Sequence, residues 1–182
     1  ADRSVSRYGK DYWVVKIDQN GTLLWEKTYG SGLDDICYDA LELPNGNIIL
    51  AGTSNSAAWA EKSQNGMGGN DFWLVELNSD GTKVRDRTYG GTGDDRLYSF
   101  ILTSDGGLLL GGLNSSGVNG DISEATYGLT DYWILRLDTS WNKLWDQRYG
   151  GDSWEWLSDL VEAPDGGFFL AGQSRSSANG DI

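Results

Sequence analysis

The chain has 182 residues, and its formal charge of −13, from 27 acidic and 14 basic side chains, would repel nucleic acid and anionic membranes at long range. It contains one cysteine and no histidine, which excludes a disulfide framework within the chain, a cysteine-based zinc site and most histidine-dependent catalytic centres. The 26 glycines, two prolines and nine tryptophans, spread among short apolar runs, predict many short strands joined by turns and almost no helix.

The first ten residues, ADRSVSRYGK, lack the apolar core of a signal peptide. No apolar run in the chain approaches the ~20 residues needed to cross a bilayer. We therefore expect a chain without membrane insertion, from which any export signal has been removed.

A shift of sixty residues superimposes the chain on itself without a gap. DYWVVKID at residues 11–18 returns as DFWLVELN at 71–78 and as DYWILRLD at 131–138. Internal repeats of this length are typical of propellers, solenoids or arrays. The sequence therefore predicts one repeat domain over residues 1–182, with units at about 11–70, 71–130 and 131–182 plus 1–10.

Each unit predicts four strands arranged as two successive hairpins. In the first strand, DYWVVKID, residues alternate with period two, so that Trp13, Val15 and Ile17 share one face. A glycine turn, whose positive φ suits a tight hairpin, leads into the second strand, TLLWEKTYG. A short acidic loop then precedes the third strand, ICYDALEL, and a further turn precedes the fourth, IILAG.

The pair Tyr29-Gly30 ends the second strand and returns in both later units. Its repetition favours a structural role. We expect the tyrosine ring to be packed while its hydroxyl reaches solvent or a turn.

The fourth strand carries the strongest indication of architecture. Its three copies, NIILAG, GLLLGG and GFFLAG, are apolar at consecutive positions, so we expect each to be covered on both faces. Four-stranded sheets stacked on one another are the blades of a β-propeller. The sequence therefore predicts an all-β propeller of three antiparallel repeats and about 12 strands. A β-trefoil or β-prism with threefold pseudo-symmetry is the alternative, although strands of a trefoil barrel should alternate more strictly.

The recurring motifs DYW, NG, LW, YGG, DD, DGG and LAG resemble the repeats of roughly sixty residues found in long secreted and cell-surface proteins of Bacteroidetes and related bacteria. NGTLLWEK is also similar to the tryptophan-bearing motif of quinoprotein-type propellers. The resemblance covers essentially the whole chain. It implies a propeller fold and an extracellular or cell-surface location, and it says little about activity because fold does not fix function.

Three blades are too few for a propeller ring, which usually has about four to eight. We therefore expect the chain either to be part of a larger chain or to pair with a second copy and complete a six-bladed ring.

The acidic loops contain Asp34-Asp35 and Asp94-Asp95, with Glu155 at the third equivalent position. Such carboxylates could be interpreted as the acid and base of a glycoside hydrolase. Their repetition in every unit instead favours capping of backbone N–H groups in a turn. We therefore predict that the chain is not an enzyme and has no catalytic residue.

The connection after the fourth strand is long enough to suggest a function. It includes Asn119, Asp121 and Ser123, and Asp131 follows at the next strand. Oxygen side chains at alternate positions are typical calcium ligands. The full calcium-loop spacing is absent and Trp59 replaces Asn119 in the first unit, so Ca²⁺ and a solvated turn both remain as interpretations, and no other cofactor is expected.

Seven of the nine tryptophans fall into two classes. Those that obey the repeat, at positions 13, 73 and 133, are explained as framework. Four others stand where sister units have different residues: Trp59, Trp141, Trp154 and Trp156. Aromatic rings on loops stack on sugars or anchor protein interfaces, so these four and Glu155 are candidate ligand-binding residues. Packing against a neighbouring blade or subunit is the alternative.

We predict a non-enzymatic extracellular or cell-surface module for binding, adhesion or scaffolding, with a protein or glycan partner. The alternatives are a lectin-like carbohydrate-binding module and a self-assembling structural subunit, either a half-propeller dimer or a fibre.

Overall fold

A computed structural model describes residues 9–181 of the chain. This part is all-β, with twelve strands and no helix, which confirms the predicted all-β class and the predicted number of strands. Accordingly, the described residues include no helix capable of spanning a membrane.

The strands are six to eight residues long, and short connections separate them except for the long ones after β4 and β8. Their bounds are β1 Tyr12–Ile17, β2 Leu23–Tyr29, β3 Asp35–Glu42, β4 Ile48–Ser54, β5 Asp71–Leu77, β6 Lys83–Tyr89, β7 Asp95–Leu102, β8 Leu108–Asn114, β9 Asp131–Leu137, β10 Lys143–Tyr149, β11 Glu155–Glu162 and β12 Phe168–Ser174.

The strands pair into four antiparallel sheets. Two are complete four-stranded sheets, β3–β4–β5–β6 and β7–β8–β9–β10, and two are half sheets, β1–β2 and β11–β12. Each complete sheet joins the second hairpin of one predicted unit to the first hairpin of the next, so the sheets span the unit boundaries at 70/71 and 130/131. Strand pairing does not join the four sheets into a closed ring within residues 9–181.

Successive sheets stack through apolar clusters. Tyr12 and Tyr29 of the first half sheet pack against Trp73 and neighbouring side chains of the first complete sheet. Phe72 and Trp133 belong to the large cluster between the two complete sheets. A third cluster joins the second complete sheet to β11 and β12. The first strands of the last three sheets lie side by side, since β7 contacts both β3 and β11.

The repeated Tyr-Gly pair has a steric explanation. A Cβ atom on Gly90 would lie 2.0 Å from Oδ1 of Asp71, and Gly30 and Gly150 approach Asp11 and Asp131 in the same way. Only glycine leaves room for this carboxylate. The close contact explains why an aspartate at or directly before the start of β1, β5 and β9 recurs together with a glycine directly after β2, β6 and β10.

The tyrosine of this pair reaches a turn in the following sheet, as predicted. The Tyr89 hydroxyl donates to the carbonyl oxygen of Trp141 at 2.6 Å, and the Tyr29 hydroxyl donates to the carbonyl oxygen of Gly81. Each bond therefore ties the last strand of one sheet to the turn between the last two strands of the next sheet.

The expectation that every fourth strand is covered on both faces is confirmed in two of three copies. Every residue of β8 is buried, and so is every residue of β4 except the partly buried Ile48. The expectation is wrong for β12, where the Phe169 side chain is 68% exposed. The reason is that β12 pairs with β11 alone and no described strand or sheet follows it.

Candidate functional site

The three neighbouring strands β3, β7 and β11 carry a β-bulge at the same repeat position. The register shifts between Cys37 and Asp39 in β3, and correspondingly in β7 and β11, so Tyr38, Tyr98 and Ser158 have no partner in the ladder. A bulge re-aims a side chain out of the normal alternation of a strand. Here it turns two tyrosines toward one another across two sheets.

Three aromatic side chains from three different sheets meet at this position. The ring centroids of Tyr38 and Tyr98 are 5.1 Å apart in an edge-to-face arrangement, and those of Tyr98 and Trp156 are 5.8 Å apart with an interplanar angle of 32°. The Trp156 side chain remains 46% exposed. The aromatic pocket that they form has a volume of about 460 Å³. It is lined by Tyr38, Tyr98, Trp156, Leu157, Ser158 and Gln173.

Polar groups accompany the rings. Burial, reinforced by the nearby Tyr38, raises the pKa of Tyr98 to about 12, and its protonated hydroxyl can donate a hydrogen bond. Gln173 is the cross-strand partner of Trp156 and offers an amide beside the indole ring. The pocket therefore combines flat apolar faces with hydrogen-bonding groups at their rim.

The lining consists of aromatic, apolar and neutral polar side chains. The described residues around the pocket include no carboxylate, thiol or imidazole. The nearest carboxylates along the strands are engaged: Asp39 accepts from the N–H of Phe100, and Asp159 accepts from the Ser99 hydroxyl at 2.9 Å. Ring stacking and hydrogen bonding are the interactions that the pocket can provide.

Of the sequence-predicted candidates, Trp154 and Trp156 lie together. Residues two apart project to the same side of an extended strand, and both rings are exposed beside or within β11. Trp156 lines the pocket. Trp154 does not, and it forms an isolated parallel β-bridge with Thr130, the residue before β9.

Trp59 and Trp141 lie elsewhere. Trp59 is exposed on the long connection between β4 and β5. Trp141 is only 2% exposed and occupies a turn position with φ of 67°, where the sister turns have glycine. Its ring packs under the guanidinium of Arg85 at 4.0 Å. Trp141 thus packs against a neighbouring sheet, and it presents almost no surface to a ligand.

Glu155 is buried as well, and it behaves like its counterparts in the other acidic loops. One carboxylate oxygen accepts from the N–H of Gly151, and the other accepts from the hydroxyls of Ser174 and Ser176. Asp95 binds the N–H of Gly91 in the same way. The predicted capping role of these carboxylates is confirmed.

The calcium candidates all hydrogen-bond within the chain. Their partners are Thr92 for Asn119, Gly90 for Asp121, Asp146 for Ser123 and Tyr127 for Asp131. Nowhere between residues 9 and 181 do three or more histidine, cysteine or acidic side chains gather as a metal site would require. A calcium ion in this connection stays a prediction.

Sequence reasoning missed Tyr38 and Tyr98. Both occupy one repeat position, and a residue that repeats is easily taken for framework. The signal that could have found them is their third equivalent, Ser158, which departs from tyrosine next to the non-repeating Trp156.

A scan against models of known protein families finds no model that matches the chain. A search of curated proteins likewise finds no match. The aromatic pocket therefore has to be interpreted from its own geometry.

Proposed function

We propose that this chain is a non-enzymatic, extracellular β-propeller module that binds carbohydrate at the aromatic pocket. One observation carries the proposal: Tyr38, Tyr98 and Trp156, each from a different sheet, place their rings at one exposed position. Exposed aromatic area is costly unless a ligand covers it, and the apolar faces of sugar rings stack well on aromatic rings.

The rim of the pocket fits the other half of a sugar's chemistry. The amide of Gln173 and the hydroxyls of Tyr98 and Ser158 can exchange hydrogen bonds with sugar hydroxyls. The chain's charge of −13 favours neutral or amino sugars over uronic or sulfated ones, because a strongly negative surface repels anions at long range.

The propeller part of the proposal is supported by the repetition of the sheets. Inner strands of three successive sheets lie side by side, and each sheet packs its apolar face on the next. Continued around a ring, this stacking would bring the inner strands to a common axis. The aromatic pocket would then open near that axis, where propellers present a concave surface.

The absence of a carboxylate in the lining supports a binding role over hydrolysis. Glycoside hydrolysis needs two carboxyl groups flanking the scissile bond. Asp35, Asp95 and Glu155 are committed to backbone N–H groups and serine hydroxyls, which leaves them poorly placed for proton transfer to a substrate.

Titration calorimetry with a panel of neutral and amino oligosaccharides tests the proposal. We expect at least one to bind, and Trp156→Ala and Tyr98→Ala each to weaken its affinity by about tenfold or more, since stacked aromatic anchors dominate such interfaces.

Trp59→Ala is the matched control, because it removes another exposed tryptophan, which lies outside the pocket, and should leave the affinity unchanged. The proposal is wrong if no oligosaccharide binds, or if the ligand that binds is indifferent to both pocket variants.

A further inference from the structure

In each half sheet one strand lacks the second neighbour that its repeat equivalents have. Among the described residues β1 pairs only with β2, β12 pairs only with β11, and β1 does not contact β12. The repeat equivalents of these two edges pair with each other inside the chain. These internal pairs are β4 with β5 and β8 with β9.

The two internal pairings have the same register. Leu50 lies opposite Val75 in the first complete sheet, and Leu110 lies opposite Leu135 in the second. A shift of one more repeat places Leu170 of β12 opposite Val15 of β1. The two internal pairings therefore give the register that a pairing of β12 with β1 would have.

We propose that β12 of one chain pairs with β1 of a second copy in this register, forming a four-stranded sheet from β11, β12, β1 and β2. Each copy carries both edges, so two copies form two such shared sheets. With the two complete sheets of each chain, the dimer has six sheets, which lies within the usual four to eight blades of a closed propeller.

The exposed face of β1 supports this partner. In the complete sheets Trp73 packs on the ring of Tyr12 at 4.8 Å, and Trp133 packs on Phe72 at 4.6 Å. Trp13 is the third copy of this tryptophan, and it is 58% exposed. In the shared sheet Trp13 would pack on Tyr132 of the chain that supplies β12, the repeat equivalent of Tyr12 and Phe72.

Charge complementarity points to the same junction. In the second complete sheet Arg136 of β9 pairs with Asp105 of the β7–β8 turn at 2.6 Å. The repeat equivalents of these two residues are Lys16 on β1 and Asp165 in the β11–β12 turn. The proposed pairing therefore brings a lysine to an aspartate across the junction, where an unrelated partner strand would have no reason to match.

The outer edge of the junction offers a third match. Tyr29 and Tyr89 each donate to a turn carbonyl in the following sheet, as described above, and both are buried. Tyr149 is their equivalent, yet its side chain is 43% exposed. Its acceptor in the shared sheet would be the carbonyl of Gly21 in the β1–β2 turn of the second copy.

Light scattering and sedimentation of the chain test the inference. We expect a mass twice the 19.9 kDa of one chain. Val15→Asp should raise the dimer dissociation constant about a hundredfold or more and return the mass to that of one chain, because the shared sheet would bury an unpaired carboxylate. Val15 is partly exposed in the single chain, so the variant should keep its β-sheet circular dichroism.

Val84→Asp is the matched control. Leu24, Val84 and Leu144 hold one repeat position and are exposed in all three copies, so a charge there should leave the mass at two chains.

Lys16→Glu provides a measurement that misfolding would not mimic. It places two carboxylates together at each junction and should raise the dissociation constant about tenfold at low ionic strength, with most of the loss recovered in about 1 M salt. A wild-type chain that stays monomeric at high concentration, a mass above two chains, or a dimer that Val15→Asp does not weaken would overturn the inference.

Discussion

The complete sheets and the half sheets have nearly the same local geometry and very different burial. Trp73 and Trp133 are 0% exposed, whereas Trp13, their equivalent in a half sheet, is mostly exposed. All three indole N–H groups nevertheless donate to a carboxylate on the adjacent strand, at 3.0 to 3.2 Å. The hairpin is therefore determined by the repeat itself, and burial is determined by the neighbour.

The hairpins β7–β8 and β11–β12 also share their local geometry and differ in burial. β7–β8 and β11–β12 have the same bulge at the same position and the same pairing register. Leu109 of β8 is 0% exposed, and its equivalent in β12, Phe169, is the most exposed large apolar side chain described. A larger apolar residue at the uncovered position is a sign that another sheet is meant to cover it.

Truncating the repeated tryptophan should show the largest contrast between the two kinds of sheet. Trp133→Ala should lower the free energy of unfolding by about 3–5 kcal/mol, because it leaves a cavity and removes the indole hydrogen bond to Asp146. Trp13→Ala should cost less than about 1 kcal/mol in dilute solution, where its ring faces water. Urea unfolding of both variants measures the difference, and equal losses would contradict the proposed dependence on a neighbour.

The acidic loops should show a smaller contrast with pH. Burial raises the pKa of Asp95 to about 6, despite hydrogen bonds from its neighbours. Burial also opposes ionisation of Glu155, but hydrogen bonds from Gly151, Ser176 and Ser174 outweigh it and lower the pKa of Glu155.

The two shifts affect stability in opposite directions. A raised pKa means that Asp95 contributes most below its ordinary value of 3.8 and loses that contribution as pH rises through about 6. Glu155 contributes above its ordinary value of 4.5 and loses that contribution as pH falls through its lower folded value.

From pH 4 to 7 the cost of Asp95→Asn should therefore shrink by about 1–3 kcal/mol, and that of Glu155→Gln should grow. Urea unfolding of each variant and of the wild type at several pH values measures these changes. Parallel pH profiles for the two variants would contradict the assignment.

Much of the fold could be predicted because its determinants are local. Alternation along DYWVVKID, glycine at the turns and acidic caps are all visible within a few residues. The positive φ of Gly21 and Gly81 confirms the glycine turns between β1 and β2 and between β5 and β6.

The rest depends on contacts between distant strands. The bulge that exposes Tyr38 arises from the pairing of β3 with β4 and leaves no trace in the alternation of β3 alone. Trp141 departs from its glycine sisters as a ligand-binding residue would, yet it is buried because Arg85 of the preceding sheet covers its ring. β12 has the apolar sequence of a covered strand, and Phe169 is exposed because no described sheet packs on that face of β12.

Amide hydrogen exchange of the edge strands, measured across protein concentrations, tests the central claim most directly. We predict that at high concentration the amides of β1 and β12 are as protected as those of β5 and β8. Dilution should remove protection only from the amides on the unpaired sides of β1 and β12, because the others stay bonded to β2 and β11. Rapid exchange in β1 and β12 at every concentration would contradict the claim that these two strands complete a shared sheet.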